Sequence, residues 1–371
     1  MAHGIIAVGL FVFSMQQFLV FMKILLTTFI IAGLLAFSSC DSTTTGKNPE
    51  NPSNTEATTS TGKPDSLLEA INKRIADSPN NYVNYLERAQ YFGNRENYKL
   101  AFEDISRAMT IDSTRADIYL YKGELFFNQE KVKEAYEEYK NCLRFDAVNQ
   151  DCLLKKAGID IVLENYDLAR EHINEALKQN EYNAYAYYLR GRMYKAQRDT
   201  ATAASSYKTA IEVDPDYYDA YIEVGLLYAA QKNDLAKEYY NSAIDIKPRS
   251  IEAWYDKAMF LQETGSKRKD KYQEAFACYD TILHIDPGFI AAHFNKGFIW
   301  LEYLQKYDSA EVEFSKAITK YPSYYQAYYN RGLCYESLNR KKDAEADYRQ
   351  ALQLEPQYSD AARALDRLLR N

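Results

Sequence analysis

Glycine and proline are both scarce, at 14 and 9 in 371 residues. Proline breaks helices and glycine loosens them, so their scarcity excludes a collagen-like or turn-rich chain and leaves room for long helices. Cysteine numbers only five, too few for a disulfide framework to be the source of a fold this long. Positive charge is in deficit: 45 Lys and Arg stand against 52 Asp and Glu, for a net charge of -7. Such a chain lacks the cation excess that neutralises phosphates, which argues against nucleic-acid binding. The four histidines, His3, His172, His284 and His293, stand apart with no second ligand at metal spacing. There is no phosphate-cradling glycine run, nucleophile elbow or paired-carboxylate motif. No catalytic residue, cofactor site or metal site is expected, and the chain reads as a non-enzyme. Adjacent acids such as Glu103 and Asp104 read as solvated helix faces.

What the chain does have is tyrosine, 34 of them, and a stretch that repeats. In Ala184 to Pro215, Tyr187, Gly191 and Tyr194 share one face of a first helix; Ala203, Tyr207 and Ala210 share one face of a second. Gln197–Thr200 is a polar turn between them, and Pro215 stops the second helix. The small residue of the first helix recurs as Ala89, Gly123, Ala157, Gly191, Gly225, Ala258, Gly297 and Gly332, at spacings of 34, 34, 34, 34, 33, 39 and 35. The second helix opens on Ala101, Ala135, Ala169, Ala203, Ala236, Ala275, Ala310 and Ala344. Four residues later stand Ile105, Tyr139, Ile173, Tyr207, Tyr240, Tyr279, Phe314 and Tyr348. From the fourth unit on, each closes on a proline: Pro215, Pro248, Pro287, Pro322 and Pro356. The sixth unit carries a five-residue insertion within Gln262–Gln273, where Lys267, Arg268, Lys269 and Lys271 make a basic surface loop.

A 34-residue helix–turn–helix period with these positions is similar to the tetratricopeptide repeat. The resemblance covers residues 80–356, about eight repeats. It implies an all-α fold: a right-handed α-solenoid of helical hairpins, in which neighbours bury each other's apolar faces. Residues 65–79, with Leu67, Leu68, Ile71 and Ile75, read as an N-terminal capping helix. Residues 357–371 read as a C-terminal one, with Ala362, Leu365 and Leu369 turned inward. His293 takes the place of Tyr187 and Tyr221 in its own repeat, which points to packing. Cys142 replaces a repeat alanine and packs as a small apolar residue; in an oxidising compartment it could instead pair with Cys152. Cys278 and Cys334 read as buried free thiols.

The N-terminus resembles a bacterial lipoprotein signal. Met22-Lys23 is a short positive start, Ile24–Leu35 an apolar core, and Ala36–Ser39 a small-residue run before Cys40. Residues 22–39 are then the signal and 1–21 an upstream extension from a mis-assigned start. Cys40 is the expected lipidation site, and residues 40–64, rich in Ser, Thr, Asn and Pro, a disordered tether. Such a tether reaches on the order of 25–30 Å. The resemblance places the protein in the bacterial cell envelope, on the outer membrane facing the periplasm.

The tetratricopeptide resemblance also implies a concave groove, lined by first-helix side chains, that binds peptides or partner proteins. By repeat position these are Leu86, Gln90, Leu120, Glu124, Leu154, Tyr188, Arg192, Ile222, Tyr255, Met259, Phe294, Phe298, Tyr329 and Leu333. The set is apolar and aromatic, suited to an amphipathic or aromatic-bearing ligand. The expected function is a membrane-tethered adaptor in cell-envelope assembly, secretion or cell-wall enzyme regulation. The alternative is a glycan-binding outer-membrane lipoprotein, against which stand the small insertion and the presence of only two tryptophans.

Overall fold

The computed structural model describes residues 65–265 and 270–370. The expected signal, Cys40, the tether and residues 266–269 of the basic insertion lie outside them. All regular structure among the described residues is helical. Helix α1 (Ser66–Asp77) precedes α2 (Tyr82–Gly93), α3 (Tyr98–Ile111), α4 (Ala116–Asn128), α5 (Val132–Phe145), α6 (Gln150–Val162), α7 (Tyr166–Gln179), α8 (Ala184–Ala196) and α9 (Thr200–Val213). Then come α10 (Tyr218–Ala230), α11 (Leu235–Ile246), α12 (Ile251–Thr264), α13 (Asp270–Ile285) and α14 (Ile290–Phe298). A π turn (Ile299–Tyr303), α15 (Tyr307–Lys320), α16 (Tyr325–Ser337), α17 (Lys341–Leu354) and α18 (Ser359–Arg370) complete the chain. From α2 to α17 the helices pair into eight antiparallel hairpins, each with a first helix A and a second helix B. They fall into two compact units, an N-terminal one over 65–217 and a C-terminal one over 218–370. Each unit is a stack of hairpins of the α-solenoid kind.

The repeat works through one contact inside each hairpin. The ring or branched side chain on helix B lies flat against the small residue on helix A. A Cβ added at Gly123, Gly191, Gly225, Gly297 or Gly332 would come within 2.5 to 2.8 Å of the ring of Tyr139, Tyr207, Tyr240, Phe314 or Tyr348. These glycines are there for close approach, since any methyl group would have to displace a fully buried ring. In the first and third hairpins alanine replaces glycine, as Ala89 and Ala157, and the smaller Ile105 and Ile173 replace the ring. All eight helix-B side chains are essentially inaccessible.

Seven of the eight A helices end in the same turn; the sixth ends at Gly265, with φ -72°. Glu96, Glu130, Glu164, Arg198, Lys232, Gln305 and Asn339 all have φ between 52° and 64°. In the fourth hairpin the Arg198 N–H donates to the Lys195 carbonyl at 3.0 Å and the Asp199 N–H to that of Tyr194 at 2.9 Å. This pair of bonds satisfies the last carbonyls of the helix and offsets the cost, about 1–2 kcal/mol, of a left-handed non-glycine residue.

The irregular spacings have local homes. Gln305 follows Gly297 by eight residues, where Asn339 follows Gly332 by seven. The extra residue is absorbed by the π turn, in which the Leu304 N–H reaches the Ile299 carbonyl at 3.1 Å. The 33-residue spacing is a shortened turn: Ala236 follows Lys232 by four residues, where Ala203 follows Arg198 by five.

Several surface expectations are corrected. Asp104 is buried and accepts two hydrogen bonds from Arg88, at 2.7 and 2.9 Å, because the partner one turn of the hairpin away supplies its charge. Arg331 grips Asp347 the same way in the eighth hairpin. Lys271 is likewise no surface cation: it is buried, with its ammonium on Asp234 at 2.6 Å and Thr264 at 3.0 Å. In α18 the inward residues are Ala361, Ala364 and Leu368, while Leu369 is exposed, one position out of phase with the sequence reading. In α1 only Ile71 is buried and Leu67 is exposed.

Candidate functional site

The fourteen side chains expected to line the groove divide by burial. Leu86, Leu154, Ile222 and Tyr255 are buried in the core clusters, because the A helix of the next hairpin covers them; they offer no surface to a ligand. Gln90 is exposed. Leu120, Glu124, Tyr188, Arg192, Met259, Phe294, Phe298, Tyr329 and Leu333 are half-buried, lining the A-helix face within each unit. Glu124 is held by Lys155 at 3.0 Å.

The structure adds a partner that the sequence reading missed. The second residue past four of the five closing prolines packs its ring against an A-helix ring of its own hairpin; past Pro248 that residue is Ser250. Tyr217 meets Tyr188 with centroids 5.4 Å apart, Phe289 meets Tyr255 at 5.6 Å, Tyr324 meets Phe294 at 5.0 Å, and Tyr358 meets Tyr329 at 5.2 Å. Three of these rungs follow one another in the C-terminal unit. The signal was present in the sequence, as aromatics recurring two residues after Pro287, Pro322 and Pro356. Burial, then the neighbouring Tyr255, Tyr325 and Tyr358, push the Tyr324 phenol above its ordinary range, so these hydroxyls gather in one region. Behind the rungs, Tyr255 accepts from Asn295 at 3.1 Å and Tyr279 donates to Gln262 at 2.9 Å.

Two histidines, His293, expected to pack, and His172, are held by buried carboxylates. His293 Nδ1 lies 2.8 Å from Glu313, which Lys316 also contacts at 2.9 Å. Burial alone would raise the Glu313 carboxyl; the hydrogen bonds from His293 and Lys316, with the Lys296 charge, outweigh it and hold it at about 2. His172 Nδ1 lies 3.0 Å from Asp160, which also accepts from Tyr136 at 3.1 Å, and its Nε2 lies 3.4 Å from the Lys156 ammonium. An ammonium can only donate, so Nε2 accepts, the ring is neutral and Nδ1–H faces Asp160. Cys142 on α5 and Cys152 on α6 form a buried disulfide that joins the second hairpin to the third. Cys278 and Cys334 are free and buried.

No group of three His, Cys, Asp or Glu side chains among the described residues could hold a metal ion. What these residues do assemble is a set of stacked helical hairpins with an aromatic face on their A helices, the architecture of a repeat protein that presents a surface. Family models of the tetratricopeptide repeat match residues 193–251 and 325–358. With eight hairpins in the same register, the chain is a tetratricopeptide repeat protein. It is 27% identical over 190 residues to RNA polymerase II-associated protein 3 of Rattus norvegicus, a match covering 48% of this chain and 29% of that one. It is 31% identical over 108 residues to the photosystem I assembly protein Ycf3 of Rippkaea orientalis, covering 28% and 62%. Among solved structures, PilF of Pseudomonas aeruginosa superposes with a TM-score of 0.49 at 17% identity, over 57% of this chain and 94% of that one. The matches to RNA polymerase II-associated protein 3 span under a third of that protein's length in rat, mouse and human.

Proposed function

We propose that this protein is a non-enzymatic adaptor of the bacterial cell envelope, anchored through a lipid on Cys40. Its A-helix face collects partner proteins or peptides near the membrane. The observation that carries the reading is the pair of half-buried aromatic rungs on that face, Phe294–Tyr324 and Tyr329–Tyr358, with the half-buried Phe289 beside them on the core ring of Tyr255. Half-buried rings on rigid helices give large contact area at small entropic cost, the property of interface anchors. Relatives such as an assembly protein and an anaphase-promoting complex subunit carry names of proteins that act within assemblies. The Cys142–Cys152 disulfide supports an oxidising compartment, as the periplasm is. A signal ending at Ser39 would deliver the chain there, and we place it on the outer membrane facing the periplasm. The glycan reading has less support: two of the three rungs meet edge-on, at 74° and 77°, and present no flat platform to a sugar.

The test is photocrosslinking in native cells, with the crosslinker at Phe298 or at Glu103 on a B helix, followed by mass spectrometry. Protein partners should be trapped from Phe298 and not from Glu103. Equal recovery from both positions, or from neither, sinks the adaptor. The N-terminal peptide should start at an acylated Cys40; an intact peptide from residues 1–21 overturns the anchor.

A further inference from the structure

We propose that one edge of the N-terminal unit lies on a lipid bilayer, with Phe127, Val162 and Leu163 inserted among the headgroups. This rests on the anchoring of the chain through Cys40 and adds which edge the anchor presents to the membrane. All A helices of the unit run the same way, so the turns that follow them leave at one edge of the stack. Phe127 lies in the last turn of α4, and Val132 opens α5. Val162 and Leu163 close α6, and Leu168 lies in the first turn of α7. All five are at that edge and turned to solvent: Val162 is 70% exposed, Leu163 57%, Phe127 49%, Leu168 45% and Val132 39%. Packing within the repeat does not call for them. One repeat later, in the fourth hairpin, Ala196, Gln197 and Thr202 stand where the third has Val162, Leu163 and Leu168. An apolar patch confined to two adjacent hairpins is a contact surface and not a feature of the fold.

Exposure alone does not choose between the two edges, since Phe145, Val148 and Tyr182 are exposed on the opposite one. The path of the chain does. Asp65 accepts from the Tyr91 hydroxyl and, at 3.0 Å, from Arg95, at the end of α2 and in the turn that follows it. Asp65 is therefore pinned to the same edge as Phe127 and Leu163, and Leu67 beside it is also exposed. The expected tether before it, with a reach on the order of 25–30 Å, then begins where the apolar patch is. To turn the opposite edge to the bilayer, the tether would have to run back along an A helix. A helix of 13 residues such as α6 is about 20 Å long, most of that reach. Charges of both signs, Glu130, Lys131, Lys133 and Glu164, are interspersed at the patch, so the attraction is apolar and does not depend on anionic lipid.

The experiment places the full chain, extracted from native membranes, in vesicles of phosphatidylethanolamine and phosphatidylglycerol with spin-labelled lipid. A fluorophore sits on Leu163→Cys or Phe127→Cys at one edge, or on Tyr182→Cys at the other; the chain without these substitutions, treated alike, gives the background from Cys278 and Cys334. The lipid should quench the first two labels and not the third. Val162→Gln/Leu163→Gln should lower the docked-to-undocked ratio, read at Phe127→Cys, about tenfold. Val148→Gln/Tyr182→Gln should leave it unchanged. Equal quenching at both edges, or at neither, overturns the proposal. So does quenching that disappears when phosphatidylcholine replaces phosphatidylglycerol, which would assign the contact to charge. A blue shift at Leu163→Cys that grows with protein concentration and needs no vesicles would mean that a second copy covers the patch, and also overturns it. The mass of the N-terminal peptide keeps this result apart from the anchor: an acylated Cys40 without quenching retains the anchor and loses the edge, and quenching without acylation does the reverse.

Discussion

The two units obey one repeat but are fastened differently. The N-terminal unit keeps a spacing of 34 throughout and is tied by a disulfide and buried charges: Arg88 with Asp104, Lys122 with Glu138, and His172 with Asp160. The C-terminal unit departs from that spacing three times, at 33, 39 and 35; it has buried ion pairs of its own, Arg331 with Asp347 and His293 with Glu313, but its cysteines are free and a run of ring contacts fills its seams. A strict repeat gives every hairpin the same neighbour, so a specific bond can be placed at a seam. An irregular repeat needs side chains with large, adaptable area to fill unequal gaps; Trp300 of the π turn, on Phe276 at 4.5 Å, is one such filling. The irregularity also creates what the regular unit lacks, the π turn Ile299–Tyr303.

The largest effect that separates the units is removal of the disulfide. Closing a loop of 10 residues restrains the unfolded chain, and loss of the bond is expected to cost about 3 kcal/mol. Hydrogen exchange followed by mass spectrometry should show faster exchange in α5 and α6 on reduction or in Cys142→Ala/Cys152→Ala. Protection in α14 to α17 should not change. If both units loosen alike, the seam is not local and the contrast between the units fails.

Acid should divide them next. Burial, then the Lys156 charge, lowers the His172 pKa against the opposing pull of Asp160. A histidine lowered on folding adds stability above its unfolded pKa of about 6.5, and that stability is lost as pH falls below it. One proton costs at most about 1.4 kcal/mol per pH unit. Protonation would also set an N–H against the Lys156 ammonium. In the C-terminal unit Glu313 is held at about 2, so its contribution is intact above about pH 4 and lost only as pH approaches 2. Between pH 6.5 and pH 5, exchange should quicken in α6 and α7 and not in α14 and α15. His172→Gln should abolish that pH step; a step that persists assigns it to another group.

Much of this was legible in the sequence and some was not, for physical reasons. The hairpins could be read because a ring on Tyr207 and a missing side chain at Gly191 are two halves of one contact, repeated at a fixed interval. The left-handed turn residues could not. Glu96, Arg198 and Lys232 show no glycine to betray them, and the hydrogen bonds that hold them belong to the backbone. Of the expected groove positions Phe294 and Tyr329 stay half-buried, whereas Leu86, Leu154, Ile222 and Tyr255 are buried, because cover depends on the next hairpin's side chains and not on position in the repeat. The partners of His172 and His293 lie 12 and 20 residues away on the facing helix, a distance no spacing rule anticipates without the hairpin geometry.

The smallest effects come from one atom at the same place in two hairpins. Tyr139 and Tyr279 both occupy the helix-B ring position and both are fully buried. The Tyr279 hydroxyl donates to the buried Gln262 carbonyl oxygen at 2.9 Å, while the Tyr139 hydroxyl meets no partner among the described residues. Removing a paired hydroxyl leaves its acceptor unsatisfied, whereas removing an unpaired one relieves a desolvation cost. Tyr279→Phe should therefore destabilise by about 2 kcal/mol, and Tyr139→Phe should stabilise by about 1 kcal/mol. Urea unfolding of the two variants measures both. The opposite signs are the point, since ring volume, repeat position and burial are shared; the two sites differ in the polar partner and in the small residue of the A helix, Gly123 for one and Ala258 for the other, which Tyr→Phe leaves in place. Loss of stability in both would mean that the hydroxyl position, and not its partner, is what the repeat requires.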